Sequence, residues 1–282
     1  NGNGVGEICE QPALAVGDDH ACAISSAGSL QRWGKNSHGQ LGDGTTTNRS
    51  SAVTVVGLGG GVQTVAASGD HNGSHSCALT TAGAVFCWGN NNSGQVGDGT
   101  YVNNRLTPVA VSGLSSGVQA IAVGGSHSCA LTSTGAVKCW GSNYYGQLGD
   151  GTTTNRLTPV TVSGLGSGVQ AIPAGGYHSC ALTTAGAVQC WGQNNYGQMG
   201  DGTSGYDLKR LTPVAVSGLS SGVQAIAAGG YFHNCALTTA GAVLCWGNNI
   251  GGSLGDGTNT DRLTPVAVSG LSNGVQAIAT GG

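Results

Sequence analysis

The chain holds 282 residues, of which 54 are Gly and only 7% are charged, and its formal net charge is −3. Soluble domains average about 7% Gly and about 25% charged residues, but an apolar content of 39% and a small net charge exclude intrinsic disorder, and Gly off a three-residue period excludes collagen. Nine Lys and Arg against 12 Asp and Glu leave no basic surface for nucleic acid, and every apolar run is too broken by Pro, Gly and polar residues to form a membrane span.

In chain order, the sequence begins Asn1-Gly2-Asn3-Gly4, with neither an initiator Met nor a signal peptide, which reads as a processed product or a fragment. Residues 1–12 form an N-terminal tail. From residue 13 one unit is used five times, over about 13–61, 62–117, 118–168, 169–222 and 223–274, with a partial sixth at 275–282. The five Trp mark the repeat: Trp33, Trp88, Trp140, Trp191 and Trp246, spaced by 55, 52, 51 and 55 residues. A period of about 50 residues denotes a supersecondary array. Each unit reads as four short strands, VQAIA, HSCALT, AVxCWG and TPVAVS, bounded by Gly, Ser, Asn or Pro and without helical period. Four strands per tandem unit predict an all-β propeller of four-stranded blades, here five repeats plus one extra strand.

Between the second and third strands, T-x-A-G fits a type I turn followed by a left-handed Gly with a G1 bulge, at Gly83, Gly186 and Gly241, with Gly135 in a T-S-T-G variant. That turn sets Thr183 opposite Ala187, Leu182 opposite Val188 and Cys180 opposite Cys190. Eight of the ten Cys share this register, as Cys77–Cys87, Cys129–Cys139, Cys180–Cys190 and Cys235–Cys245. Each pair falls at a non-hydrogen-bonded site, where the Cα separation suits a disulfide. In the first unit Cys22 faces Arg32 instead, and Cys9 is the Cys left over, so a Cys9–Cys22 bridge is expected to tie the tail to the first blade. An even disulfide framework implies an oxidising compartment, extracellular or at the cell surface. No C-x₂-C spacing supports zinc.

The recurring G-x-x-H-x-C-A-L-T-x-x-G-x-V-x-C-W-G-x-N-x-x-G-Q-L-G-D-G-T closely resembles the repeat of the regulator of chromosome condensation family, over about residues 13–282. Within that family, the doubled Cys resembles a secreted, disulfide-containing variant of bacterial type. The resemblance implies a β-propeller, usually seven-bladed, so the five units read as part of a longer array, with a complete five-bladed ring as the alternative. It leaves the activity open, since members of the family exchange guanine nucleotides, bind chromatin, sense ultraviolet-B light or inhibit β-lactamases. Exchange and chromatin roles need a charged docking surface that this chain lacks, and light sensing needs clustered Trp, whereas here one Trp stands in each C-W-G.

Three polar residues recur once per unit. His20, His75, His127, His178 and His233 read as backbone-bonded scaffold rather than a metal-holding ring of imidazoles. Asp43, Asp98, Asp150, Asp201 and Asp256 read as turn caps, because a lone carboxylate is a poor calcium site. Arg49, Arg105, Arg156, Arg210 and Arg262 read as their ion-pair partners or carbonyl donors. The remaining charges, Arg32, Lys35, Lys138 and Lys209 against seven acidic residues, read as a sparsely charged, mildly acidic surface. No catalytic set breaks the repeat, so neither an enzyme nor a cofactor or metal site is expected.

Specificity is expected where the units differ. Tyr144, Tyr145 and Tyr196 occupy the variable slot of W-G-x-N-x-x-G; Tyr177, Tyr231 and Phe232 precede the repeated His; Tyr101 and Tyr206 lie in the loop after G-D-G-T. Two insertions, residues 70–74 and Ser204 to Lys209, lengthen their units. Tyr among Ser, Asn and Gly is the composition of protein-binding loops. The expectation is therefore a secreted or cell-surface propeller that binds protein or glycan through one loop face. A structural subunit that self-assembles into an extracellular filament, and an extracellular enzyme inhibitor, are the alternatives.

Overall fold

A computed structural model describes residues 14–17, 19–25, 28–68, 74–101, 103–229 and 232–281. It contains five four-stranded antiparallel sheets, the blades, each with its strands in sequence order. Blade 1 comprises β1 (Leu14–Val16), β2 (His20–Ile24), β3 (Leu30–Gly34) and β4 (Arg49–Thr54). Blade 2 comprises β5 (Val62–Ala67), β6 (His75–Thr80), β7 (Val85–Asn90) and β8 (Asn104–Ala110). Blade 3 comprises β9 (Val118–Val123), β10 (His127–Thr132), β11 (Val137–Gly141) and β12 (Arg156–Thr161). Blade 4 comprises β13 (Val169–Ala171), β14 (His178–Thr183), β15 (Val188–Gln193) and β16 (Lys209–Ala215), and blade 5 comprises β17 (Val223–Ala228), β18 (His233–Thr238), β19 (Val243–Gly247) and β20 (Arg262–Ala267). The all-β propeller class read from the repeat is the observed one.

Local chemistry explains where these strands sit. Proline cannot donate to a ladder, and Pro108, Pro159, Pro213 and Pro265 all lie in the fourth strand of a blade, which is a sheet edge. Pro173, which replaces the Ala of other first strands, stops β13 after three residues. The hairpin Gly adopt φ of 76°, 77°, 76° and 79° at Gly83, Gly135, Gly186 and Gly241, the left-handed conformation that the G1 turn requires. Cys180 consequently pairs with Cys190, and the four hairpin disulfides form with Cα separations of 4.0 to 4.1 Å. Residues 275–281 carry the first-strand sequence but join no ladder among the described residues.

The core lies between blades. Trp88, Trp140, Trp191 and Trp246 are fully buried, each against the hairpin of the preceding blade. Trp140 packs on Cys77, Cys87, Leu79 and Val85, and its Nε1 donates to Gln95 O at 2.9 Å. Ser128 Oγ donates to the same carbonyl at 3.0 Å and lies 2.8 Å from His75 Nε2. With its hydroxyl proton on Gln95 O, Ser128 accepts from the imidazole, so His75 is the Nε2–H tautomer. This latch of His, Ser, Gln and Trp recurs at each blade junction, with Asn234 in the Ser position of blade 5. The G-D-G-T Gly is fitted to it: a Cβ on Gly97, at φ 79°, would stand 2.6 Å from the Trp140 Nε1.

Blade 1 departs from the pattern. Cys22 pairs with Arg32 in the strand register and is buried, without a disulfide partner among the described residues, and its Sγ donates to Ala15 O at 3.1 Å. Its expected partner, Cys9, lies outside the described residues. Arg32 is not a surface charge, as its sequence context suggested, but fully buried, and among the described residues none of its guanidinium nitrogens finds a hydrogen-bond partner. It stacks over Trp88 at 5.1 Å from the ring centroid, where the second half of a disulfide sits in the other blades. Burial, opposed by the neighbouring Cys22, lowers its pKa to about 10, so it stays charged at neutral pH.

Arg32→Cys is therefore expected to close a fifth hairpin disulfide with Cys22 and to raise stability by about 2–3 kcal/mol. Non-reducing peptide mapping and the urea midpoint check it; a Cys22 that remains alkylatable in the variant contradicts it. The same map of the wild-type chain decides the Cys9–Cys22 pairing.

Candidate functional site

The loops that join first to second strands and third to fourth strands leave each blade at the same end. The longer of the two is built around W-G-x-N. Asn143 Nδ2 donates to Asp150 Oδ1 at 3.1 Å, and Asn143 Oδ1 accepts Leu148 N at 3.0 Å. Asp150 Oδ1 also caps Thr152 through its backbone N–H at 3.0 Å and its hydroxyl at 2.7 Å, while Oδ2 receives Arg156 Nε at 2.7 Å. The same set recurs around Asp43, Asp98, Asp201 and Asp256. Burial pushes the carboxyls of Asp43, Asp98, Asp150 and Asp201 upward, but the Thr hydroxyl and the Arg guanidinium outweigh it and hold them below the usual range. The Asp–Arg pair is thus an internal brace of the loop.

That brace presents the variable slot rigidly. Tyr145 N donates to Gln147 Oε1 and Tyr196 N to Gln198 Oε1, both at 2.9 Å, and the following Gly146 and Gly197 turn the chain at φ of 78° and 81°. The slot residues of blades 3 and 4 then meet the short loops of blades 4 and 5. Tyr144 meets Tyr145 edge-on at 4.9 Å, Tyr145 meets Tyr177 at 5.2 Å, Tyr177 meets Phe232 at 6.3 Å, and Phe232 meets Tyr196 at 4.8 Å. Five aromatic rings from three blades form one contiguous row, with Tyr144 the most exposed at 59%.

Lys209 closes one end of the row. Its Nζ stands 4.2 Å from the Tyr144 centroid and 5.6 Å from that of Tyr145, donates to Tyr144 O at 3.2 Å, and pairs with Asp207 at 3.1 Å. Asp207 is the one described non-Gly residue with positive φ, 58°, which marks the sharp turn of the blade 4 insertion. Lys209 and Asp207 were not singled out from sequence, although both lie in the unrepeated insertion. Of the expected binding residues, Tyr144, Tyr145, Tyr177, Tyr196 and Phe232 are brought together. Tyr101 and Tyr206 stand apart from the row, 53% and 99% exposed, and Tyr231 lies outside the described residues.

Four of the repeated His, His20, His75, His127 and His178, bond a side chain of the next blade rather than the backbone expected from sequence, His127 Nε2 lying 2.8 Å from Ser179 Oγ and His178 Nε2 2.8 Å from Asn234 Oδ1. Among the described residues no group of three or more His, Cys, Asp or Glu is placed to hold a metal ion, and no helix is long and apolar enough to cross a membrane.

Comparison with known proteins agrees with this architecture. The model of the RCC1-like domain family matches residues 5–282. The ultraviolet-B receptor UVR8 of Arabidopsis thaliana is 33% identical over 260 residues, which cover 91% of this chain and 57% of UVR8, so the chain spans little more than half the length of that relative. Human WBSCR16 superposes with a TM-score of 0.79 at 28% identity, over 95% of this chain and 69% of that one. Yeast RCC1 (Prp20), solved bound to Kap60, gives 0.78 at 24% identity, over 91% and 60%.

Proposed function

Since the chain belongs to the RCC1-like domain family, we propose that it is a non-enzymatic binding propeller whose aromatic row on blades 3 to 5 docks a protein partner. The row itself carries this reading. Its rings interlock across three blades, so their placement is settled before a partner arrives and little side-chain entropy remains to be lost on binding. Lys209 and Asp207 at one end supply a polar rim. A protein surface suits the row better than a glycan, because only Tyr144 among these rings leaves more than half of its surface open to stack on a sugar.

Four disulfides are compatible with an oxidising compartment, and we place the protein outside the cell or at its surface. Combining Tyr144→Ala, Tyr145→Ala and Tyr196→Ala is expected to weaken partner binding by about 30-fold or more, the loss of one strong hot spot. Tyr101→Ala, outside the row, is expected to leave it within about 2-fold. Affinity capture from the extracellular fraction of the producing cells, followed by titration of the captured protein, checks both; a triple variant that binds like wild type overturns the assignment.

A further inference from the structure

The rings of the aromatic row carry hydroxyls as well as apolar faces. Tyr145 and Tyr196 are held through their backbone N–H, and Tyr144 through its carbonyl, which accepts Lys209 Nζ at 3.2 Å. Among the described residues none of these three hydroxyls has a hydrogen-bond partner. The row therefore offers ring faces and phenolic donors side by side. Ile250, in the variable slot of blade 5, adds an aliphatic side chain, 76% exposed, on the same loop face.

These groups suit one form of peptide better than the others. Strand addition requires an open sheet edge, but Pro108, Pro159, Pro213 and Pro265 interrupt the outer strands of blades 2 to 5, and the row lies on loops. A docked helix spends its carbonyls on its own hydrogen bonds and leaves the phenols without acceptors. A polyproline II segment is complementary. Its carbonyls are unpaired within its own chain, its prolines carry no N–H in need of an acceptor, and their rings pack flat on aromatic side chains. Successive rings of the row stand 4.8 to 6.3 Å apart, so at about 3.1 Å per residue at most about seven residues of such a segment cover it. Both surfaces are fixed before they meet, which keeps the entropy cost of docking low.

Charge sets the flank of that segment. At the Tyr144 end, Asp207 and Lys209 pair at 3.1 Å, but the Asp207 side chain is 51% exposed and that of Lys209 only 18%. The Lys209 ammonium is turned to the rings of Tyr144 and Tyr145, at 4.2 and 5.6 Å, so an incoming chain meets the carboxylate first. Resting on the row as the docking surface, we infer that its ligand is a proline-rich segment in the polyproline II conformation, with an Arg or Lys flanking it at the Asp207 end.

The test titrates the full chain by fluorescence anisotropy against three labelled peptides: ten prolines flanked on both sides by Arg, the same prolines flanked by Glu, and a Gly-Ser repeat of equal length flanked by Arg. The Arg-flanked proline peptide is expected to bind at least about 10-fold tighter than the Gly-Ser peptide, a margin that Tyr144→Ala combined with Tyr196→Ala removes. Asp207→Asn, which tolerates the same left-handed turn, is expected to weaken the Arg-flanked proline peptide by about 2- to 5-fold and the Glu-flanked one not at all. Equal binding of the proline and Gly-Ser peptides overturns the inference, as does proline binding that survives the double Tyr variant. Equal binding of the Arg- and Glu-flanked peptides overturns the basic flank. A captured protein that needs Tyr144, Tyr145 and Tyr196, but that the Arg-flanked proline peptide does not compete away, overturns the proline ligand while leaving the row as the docking surface.

Discussion

Trp140→Ala is expected to lower stability by about 3–5 kcal/mol, the range for emptying a fully buried aromatic site. The indole fills the space between blades 2 and 3 against Cys77, Cys87, Leu79 and Val85, and the disulfide holds its walls apart, so the cavity has little room to collapse. Removal also takes one of the two donors from Gln95 O, though Ser128 remains on it. Trp140→Phe keeps much of the apolar bulk and forfeits the indole donor, at an expected loss nearer 1–2 kcal/mol. Because a repeat array is coupled only through neighbouring blades, hydrogen exchange is expected to accelerate in β6, β7, β10 and β11 and not in blade 5. Urea midpoints for both variants check the magnitudes, and a Trp140→Ala loss below 1 kcal/mol contradicts the account of the core.

Acidification is expected to weaken the fold well before any carboxylate titrates. Burial, reinforced by the neighbouring His75 and His178, lowers the His127 pKa to about 3, and burial likewise lowers His20 and His233. The unfolded chain takes up these protons near pH 6.5, but folded His127 refuses its proton until about pH 3. A base with a lowered folded pKa gives stability that is fully present above the unfolded value and is lost as pH falls. The loss amounts to about 1.4 kcal/mol per pH unit for each such group while only the unfolded state is protonated. Between pH 6.5 and 4.5 His127 alone thus removes about 2–3 kcal/mol. The loop-brace aspartates, held below their ordinary range, act in the same direction only below about pH 4. Urea midpoints at pH 7 and 4.5 check this, and equal midpoints contradict neutral, buried latch imidazoles.

Features set within one blade were legible in the residues. The T-x-A-G turn determines the hairpin register, and the register places Cys180 opposite Cys190 and Cys22 opposite Arg32. Contacts between blades were not, because strand periodicity says nothing about which loop of one blade meets which loop of the next. Tyr145 and Tyr177 stood out as variable positions 32 residues apart, yet their 5.2 Å approach depends on the blade junction. Arg32 misled for a related reason: an unrepeated charge reads as surface, and only the next blade's Trp88 reveals that it is buried. The latch escaped notice because its acceptor is the Gln backbone carbonyl, whose role the side chain does not advertise.

The central claim is that the repeated residues are scaffold and the aromatic row is the working surface. Hydroxyl-radical footprinting of the chain, free and with its captured partner, tests it most directly. Protection on binding is predicted at Tyr144, Tyr145 and Tyr196, with Val56 and Leu271 labelled equally in both states. Protection at those two residues, with the row labelled as strongly as in the free chain, would contradict it.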